Sequence, residues 1–191
     1  DWIPEPMNRL RLRDPIHGFV HADALEAALI ASRPMQRLRW IHQLGLTFLV
    51  YPGAEHSRFS HVLGVMGLAG RVFDALLVKR PGLLPAAEQP LARRLVRAAA
   101  LLHDIGHAPF SHSAEDRFEG GIDHEQMTRR LLASDEIAGC FDRLGDGLTV
   151  AAVSELLAGR VAPERRFLTQ IVSGELDVDK MDYLLRDSLF C

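Results

Sequence analysis

Apolar residues recur at helical spacing in almost every segment of this chain, and strand-like alternation is scarce. A chain patterned in this way must bury helical stripes, so the expected fold class is all-α. The spacing predicts a helix over 22–31 opened by His21-Ala22-Asp23, and a second from Pro34 through Leu38 and Ile41 to Gly45. A long helix is expected over 55–80, bounded by Pro81-Gly82, and another from Gln89 to Asp104 with Gly106 as its stop. Further helices are expected over 122–133, 135–144, 150–157, 164–173 and 177–189. Phe48–Gly53 is the best extended piece, closed by a Pro-Gly turn. With 191 residues, 48% of them hydrophobic and 25% charged, the chain has the size of one domain and is neither disordered nor fibrous in composition.

A formal net charge of −3 gives no overall attraction to nucleic acid or to an anionic membrane. A polyanionic ligand would have to be held by local cations or by metal. Cys140 and Cys191 make neither a disulfide framework nor a Cys-x-x-Cys zinc knuckle. No apolar run approaches the ~20 residues needed to span a bilayer, and residues 1–13 lack the apolar core of a signal peptide. The expectation is a reduced, cytoplasmic chain with no membrane partner. Residues 1–12 read as an N-terminal extension in which Met7 is a candidate native start, and 13–191 as one domain. The helical pattern of Leu184–Cys191 has no terminator, so the natural protein is expected to continue.

The densest chemical string is Leu101-Leu102-His103-Asp104-Ile105-Gly106-His107-Ala108-Pro109-Phe110-Ser111-His112. Leu91, Leu95, Ala98, Ala99 and Leu102 mark the preceding helix as buried, so it delivers His103 and Asp104 at its C-terminal end. Neighbouring helical side chains diverge by about 100°, so both reach one ion only if it lies close to the backbone. An imidazole beside a carboxylate suits Mn²⁺, Fe²⁺, Zn²⁺ or Ni²⁺ better than Ca²⁺, which takes oxygen alone. In the long helix, His61 shares a stripe with Val65, Leu68, Val72 and Leu76, which buries it. Gly64, Gly67 and Gly70 each cost about 1 kcal/mol relative to Ala and imply close approach of another helix. In the last helix Val178, Met181 and Leu185 read as the apolar stripe. Asp179, Tyr183 and Asp187 form a separate hydrogen-bonding stripe, and Asp182–Arg186 a surface pair worth a few tenths of a kcal/mol. Taken singly, these histidines are ordinary core residues and these acids ordinary solvated ones. Together, His, His, Asp and Asp from three helices make a mixed nitrogen and oxygen set with room for water or substrate.

Ordered strings then carry a family resemblance: Arg13-Asp14-Pro15-Ile16-His17-Gly18, Gln36-Arg37-Leu38-Arg39-Trp40, Gln43-Leu44-Gly45, Tyr51-Pro52-Gly53-Ala54 and Arg58-Phe59-Ser60-His61. They continue with Leu102–His112, Asp123-His124-Glu125 and Asp177-Val178-Asp179-Lys180-Met181-Asp182-Tyr183. The chain resembles the HD-domain metal-dependent phosphohydrolases. Within them it is similar to the dNTP triphosphohydrolases related to the sterile-alpha-motif/HD-domain enzyme and the bacterial dGTPases. The resemblance implies an HD-domain helical bundle with the metal site in the bundle core.

Residue by residue, the resemblance gives His61, His103, Asp104 and Asp179 as ligands of a divalent transition metal (Mn, Fe, Zn or Ni), with Mg²⁺ accompanying the substrate triphosphate. Arg58 and Lys180 would bind phosphate. His107, His112 and His124 would surround the attacking water and substrate, His107 or His124 protonating the leaving oxygen. Glu115, where the family more often has Asp, would support His124. Tyr183 and Asp187 would hold the deoxyribose, Gln43 and Leu44 its base side. The implied reaction is hydrolysis of a dNTP to a deoxynucleoside and inorganic triphosphate. Other readings are an HD-domain phosphodiesterase or phosphomonoesterase on another nucleotide or pterin phosphate, and a catalytically silent nucleotide-binding module. A homo-oligomer is implied. Gln36 and Arg39 keep the family's activator contacts, but Ala31-Ser32-Arg33-Pro34 lacks its GTP-reading Asp, so GTP itself is not the expected activator.

Overall fold

The computed structural model describes residues 10–110 and 123–191, and among these it is mostly helical. The expected all-α class holds, with one addition at the N-terminus. Strands β1 (Leu10–Asp14) and β2 (Gly18–Ala22) form an antiparallel hairpin in which Leu10 faces Ala22 and Asp14 faces Gly18. Its turn is closed by Asp14 Oδ1, which accepts from the amides of Ile16 (2.9 Å) and His17 (2.8 Å). Gly18 follows at φ +76°, the left-handed region that glycine enters without steric cost. Five-residue strands are too short for their alternation to stand out from the helical pattern around them.

Helix α1 (Ala24–Ala31) starts at a capping box, Asp23 accepting from the Glu26 amide and Glu26 accepting from the Asp23 amide. Helix α2 covers only Arg33–Arg37 and passes into a 3₁₀ turn at Leu38–Trp40, so the helix expected to reach Gly45 is shorter. The chain leaves it because residues 41–43 pair with the segment entering the next helix. Arg58 N bonds Ile41 O at 2.8 Å and Gln43 N bonds His56 O at 3.0 Å. His56 and Ser57 take part in this pairing, which is why helix α3 begins at Arg58 behind its cap Ser57 and not at Glu55. The extended piece expected at Phe48–Gly53 is instead a 3₁₀ turn at Thr47–Leu49 followed by a bend.

Helix α3 (Arg58–Lys79) is the central element, packed against the hairpin, α4 (Gln89–Leu102) and the last helix. By length and composition it could cross a membrane, with a mean hydropathy of 1.5 over 18 residues, which corrects the expectation that no segment approaches that length. Half of that window is packed inside the domain. Its buried face is Val62, Val65, Met66, Ala69 and Phe73, set against Ala98, Ala99, Leu101 and Leu102 of α4. Burying each large apolar side chain is worth about 1.5–3 kcal/mol. Leu68, Val72 and Leu76 are only half-buried, so the stripe runs slightly to one side of the expected one.

The remaining helices are α5 (His124–Leu132), α6 (Asp135–Leu144), α7 (Val150–Leu157), α8 (Arg166–Val172, preceded by a 3₁₀ turn at Pro163–Arg165) and α9 (Val178–Phe190). The face that α9 turns inward differs from the expected apolar stripe. Val178, Asp182 and Arg186 are buried, Met181 is half-buried, and Leu185 is 53% exposed alongside Leu184 and Leu189. Asp182–Arg186 is therefore not a surface pair. Both residues are 0% exposed, because their charges find partners on α3 and the hairpin.

Candidate metal centre

Three helices bring the chemistry together. Helix α4 ends at Leu102, and His103 keeps a helical backbone as its C-cap. The turn beyond is held by Arg37, whose guanidinium donates to the carbonyls of Ile105 (2.6 Å) and His107 (2.8 Å). Gly106 lies against the first turn of α5, where a Cβ would strike the His124 carbonyl and the Thr128 backbone. Its amide donates to Thr128 Oγ1 at 3.1 Å. No side chain fits there, and the contact is what brings His124 beside the His-Asp turn. The His107 and His124 rings stack at 4.3 Å between centroids.

His61 on α3, His103 after α4 and Asp179 in the first turn of α9 offer ligand atoms that all lie within 4.8 Å of one another. His61 Nε2 is 2.9 Å and His103 Nε2 3.6 Å from Asp179 Oδ1. Asp104 joins from the side. Its Oδ1 is 3.4 Å from His103 Nε2 and from His107 Nε2, while Oδ2 is 4.0 Å from His61 Nε2 and 2.5 Å from Arg58 Nη1. Ligands about 2 Å from one cation lie roughly 3–4 Å apart, so this spacing is that of a metal site.

The histidines also have the right nitrogens exposed to it. His103 Nδ1 sits 2.8 Å from the Ala100 carbonyl, which can only accept, so this nitrogen carries the proton. His61 Nδ1 faces Asp182 Oδ2 at 2.7 Å, with the same consequence. Both Nε2 atoms are buried, and neither makes a hydrogen bond of acceptable geometry. Two imidazole lone pairs and two carboxylates converging in this way fit a divalent transition metal. Asp182 is the residue that sequence reasoning missed, because an i, i+4 Asp–Arg pair reads the same on a surface as in a core.

A cavity of about 540 Å³ opens over this cluster. Gln43, Arg58, His103, Asp104, His107 and His124 line it together with Asp179, Lys180, Tyr183 and Arg129, and with Arg160, which is paired with Glu155. Leu44 is half-buried and does not line it. Lys180 Nζ is held by Asp177 (2.7 Å) and the Gly174 carbonyl (2.8 Å). Asp187, expected on the same stripe as Tyr183, is outside the lining and pairs with buried His56 at 3.0 Å. His112 and Glu115 lie outside the described residues.

Charge coupling within the cluster is strong. Burial pulls the His103 pKa down, but Asp104 and Asp179 outweigh it and raise the value to about 9. Burial pushes the Asp104 and Asp179 carboxyls up, yet the surrounding imidazoles, with Arg58 at Asp104, hold both well below the usual carboxylate range. The raised His103 pKa contributes stability that is complete below about pH 6.5 and is lost as pH rises through about 9. The depressed carboxylates contribute stability that is present above about pH 4 and is lost as pH falls further. Metal-free protein is therefore expected to melt highest near pH 5–6.5 and lower at pH 9, by about 2–4 °C for each kcal/mol of lost linkage. Ligation needs neutral imidazoles, so the stabilisation by added metal should grow over the same range. Circular-dichroism melts with chelator and with metal check both, and a flat profile from pH 6 to 9 in chelator contradicts the first.

A helical domain with a buried cluster of two histidines and two aspartates at a cation-lined cavity is the architecture of a metal-dependent hydrolase. The HD-domain family model matches residues 58–187, and this chain belongs to that family. It is 41% identical over 180 residues to the uncharacterized protein YwfO of Bacillus subtilis, an alignment covering 93% of this chain and 39% of that protein. It is 36% identical over 205 residues to the human deoxynucleoside triphosphate triphosphohydrolase SAMHD1, covering 92% of this chain and 32% of that one. A crystal structure of a hypothetical protein from Aquifex aeolicus superposes with a TM-score of 0.79 at 36% identity, covering 96% of this chain and 47% of the other. The chain thus spans about a third to just under half of these relatives' length.

Proposed function

We propose that this domain hydrolyses deoxynucleoside triphosphates to deoxynucleoside and inorganic triphosphate. The observation that carries the reading is the cavity itself: His103, Asp104 and Asp179 line it with Arg58 and Lys180, and buried His61 meets Asp179 and Asp104 just behind that lining, in a chain of net charge −3. The named activity of the SAMHD1 relatives supports the substrate class.

A divalent cation held by those four residues would supply Lewis acidity and lower the pKa of water at the reacting phosphorus. Arg58, anchored on Asp104, offers a fixed guanidinium to phosphoryl oxygens, and Lys180 a second cation whose ammonium is kept charged by Asp177. The departing 5′ oxygen needs a proton. The stacked His107 and His124, which line the cavity beside the His-Asp turn, are the side chains placed to deliver it. Tyr183 and Gln43 offer hydrogen bonds toward the sugar and base. Arg129 also lines the cavity and adds a further cation for a ligand with more than one phosphate.

Product analysis tests this. Protein loaded in turn with Mn²⁺, Fe²⁺, Zn²⁺ and Ni²⁺ is incubated with each dNTP, and the products are separated by ion-exchange chromatography. Deoxynucleoside and triphosphate in equal amounts are expected. Orthophosphate, or products only from a cyclic nucleotide, would replace this reading with another HD-domain phosphoesterase.

A further inference from the structure

His61, the most deeply buried member of the cluster, has behind it a chain of charged groups that the hydrolysis reading does not use. Asp182 receives His61 Nδ1 on Oδ2 at 2.7 Å, and Arg186 Nε on the same oxygen at 2.8 Å. Its Oδ1 takes Arg186 Nη2 at 2.8 Å and His17 Nε2 at 2.6 Å. Arg186 Nη2 continues to Asp14 Oδ2 at 2.9 Å, and the other oxygen of Asp14 closes the hairpin turn. Arg71 Nη2, a donor only, lies 2.8 Å from His17 Nδ1, so His17 carries its proton on Nε2 and donates to Asp182. His61, Asp182 and Arg186 are all 0% exposed. Gly64 makes room for them, since a Cβ there would overlap Asp182 Oδ1 and Arg186 Nη2.

An ionised carboxylate can only accept, so each of its neighbours must present a hydrogen. For His61 that fixes the proton on Nδ1 and turns the Nε2 lone pair toward Asp179 and His103. We propose that Asp182, braced by Arg186 and by His17 of the hairpin, is a positioning residue that holds His61 in its metal-ligating form and so sets the affinity of the centre for a divalent cation. The inference rests on the metal-site reading above. It also gives the hairpin, which lies outside the segment matched by the family model, a part in the site.

The test is Zn²⁺ affinity of the full chain by competition with a chromophoric chelator, read beside the melting temperature in chelator and the imidazole ¹⁵N spectrum of the zinc-loaded protein. Asp182→Asn keeps the shape, but its amide can donate to His61 Nδ1 and favour the Nε2–H form, which cannot ligate. It should weaken Zn²⁺ binding about 10–100-fold and remove the low-field Nδ1–H signal of His61. His17→Gln, which touches no metal ligand, should weaken binding by roughly threefold to tenfold with little change in melting. Wild-type zinc uptake with unchanged affinity in folded Asp182→Asn would overturn the inference. If that variant does not fold, unchanged affinity in His17→Gln, or a wild-type His61 without Nδ1–H, overturns it instead. Failure of the wild type to take up any zinc would defeat the metal-site reading itself.

Discussion

His103→Ala is expected to lower dNTP hydrolysis by about three orders of magnitude while leaving the fold intact. The ligand set loses one of its two nitrogens, and a catalytic cation supplies several kcal/mol of transition-state stabilisation, at 1.36 kcal/mol per factor of ten. The structural cost is small because His103 sits at the end of α4 and its Nδ1 bonds only the Ala100 carbonyl of the preceding turn. The variant does forfeit the linkage stabilisation of the raised His103 pKa, so it should melt somewhat below the wild type at about pH 6–8. Deoxynucleoside release measured beside far-ultraviolet melting separates the two effects. A folded His103→Ala protein turning over at the wild-type rate would defeat the assignment. Asp104→Ala should be equally inactive but less stable, since Arg58 loses a buried carboxylate partner.

The largest effect on stability is expected from Arg186→Met. The substitution keeps the length of the side chain and removes the guanidinium that bridges Asp182 on its own helix to Asp14 of the hairpin turn. All three residues are buried, and breaking a buried ion pair by removing one partner costs about 3–5 kcal/mol. That is a large share of the 5–15 kcal/mol by which domains of this kind are stable, and it should lower the melting temperature by roughly 10 °C. Urea unfolding in chelator measures the loss without metal linkage. A midpoint equal to the wild type's would mean that the two carboxylates are satisfied in some other way. Because Asp182 also faces His61, the variant should weaken metal binding as well.

Much of the architecture was legible from local signals. Helices α6 and α7 fall at 135–144 and 150–157 as expected; Thr149 caps the second by accepting from the Ala152 amide, and Gly145 follows the end of the first. Where expectation and structure part, a distant segment had intervened. The helix expected to reach Gly45 ends early because residues 41–43 pair with the entry to α3. Leu185 was expected inside and Arg186 outside, and the reverse is found. The i, i+4 spacing of Asp182 and Arg186 is neutral between surface and core. What buries the pair is a gap at Gly64 and the partners His61 and His17, 121 and 165 residues away from Asp182.

Sequence alone determined the helical class, the positions of most helices and, through ordered strings such as Leu102-His103-Asp104, the family and its candidate ligands, because these depend on neighbours within a few residues. Tertiary structure decided which nitrogen of each histidine faces the centre, that Arg58 is anchored on Asp104, and that Asp187 turns to His56 and away from the cavity. Those outcomes depend on how buried charges find partners across the chain. A local pattern carries no record of the partner, and burial makes the absence of one too costly for the fold to leave it to chance.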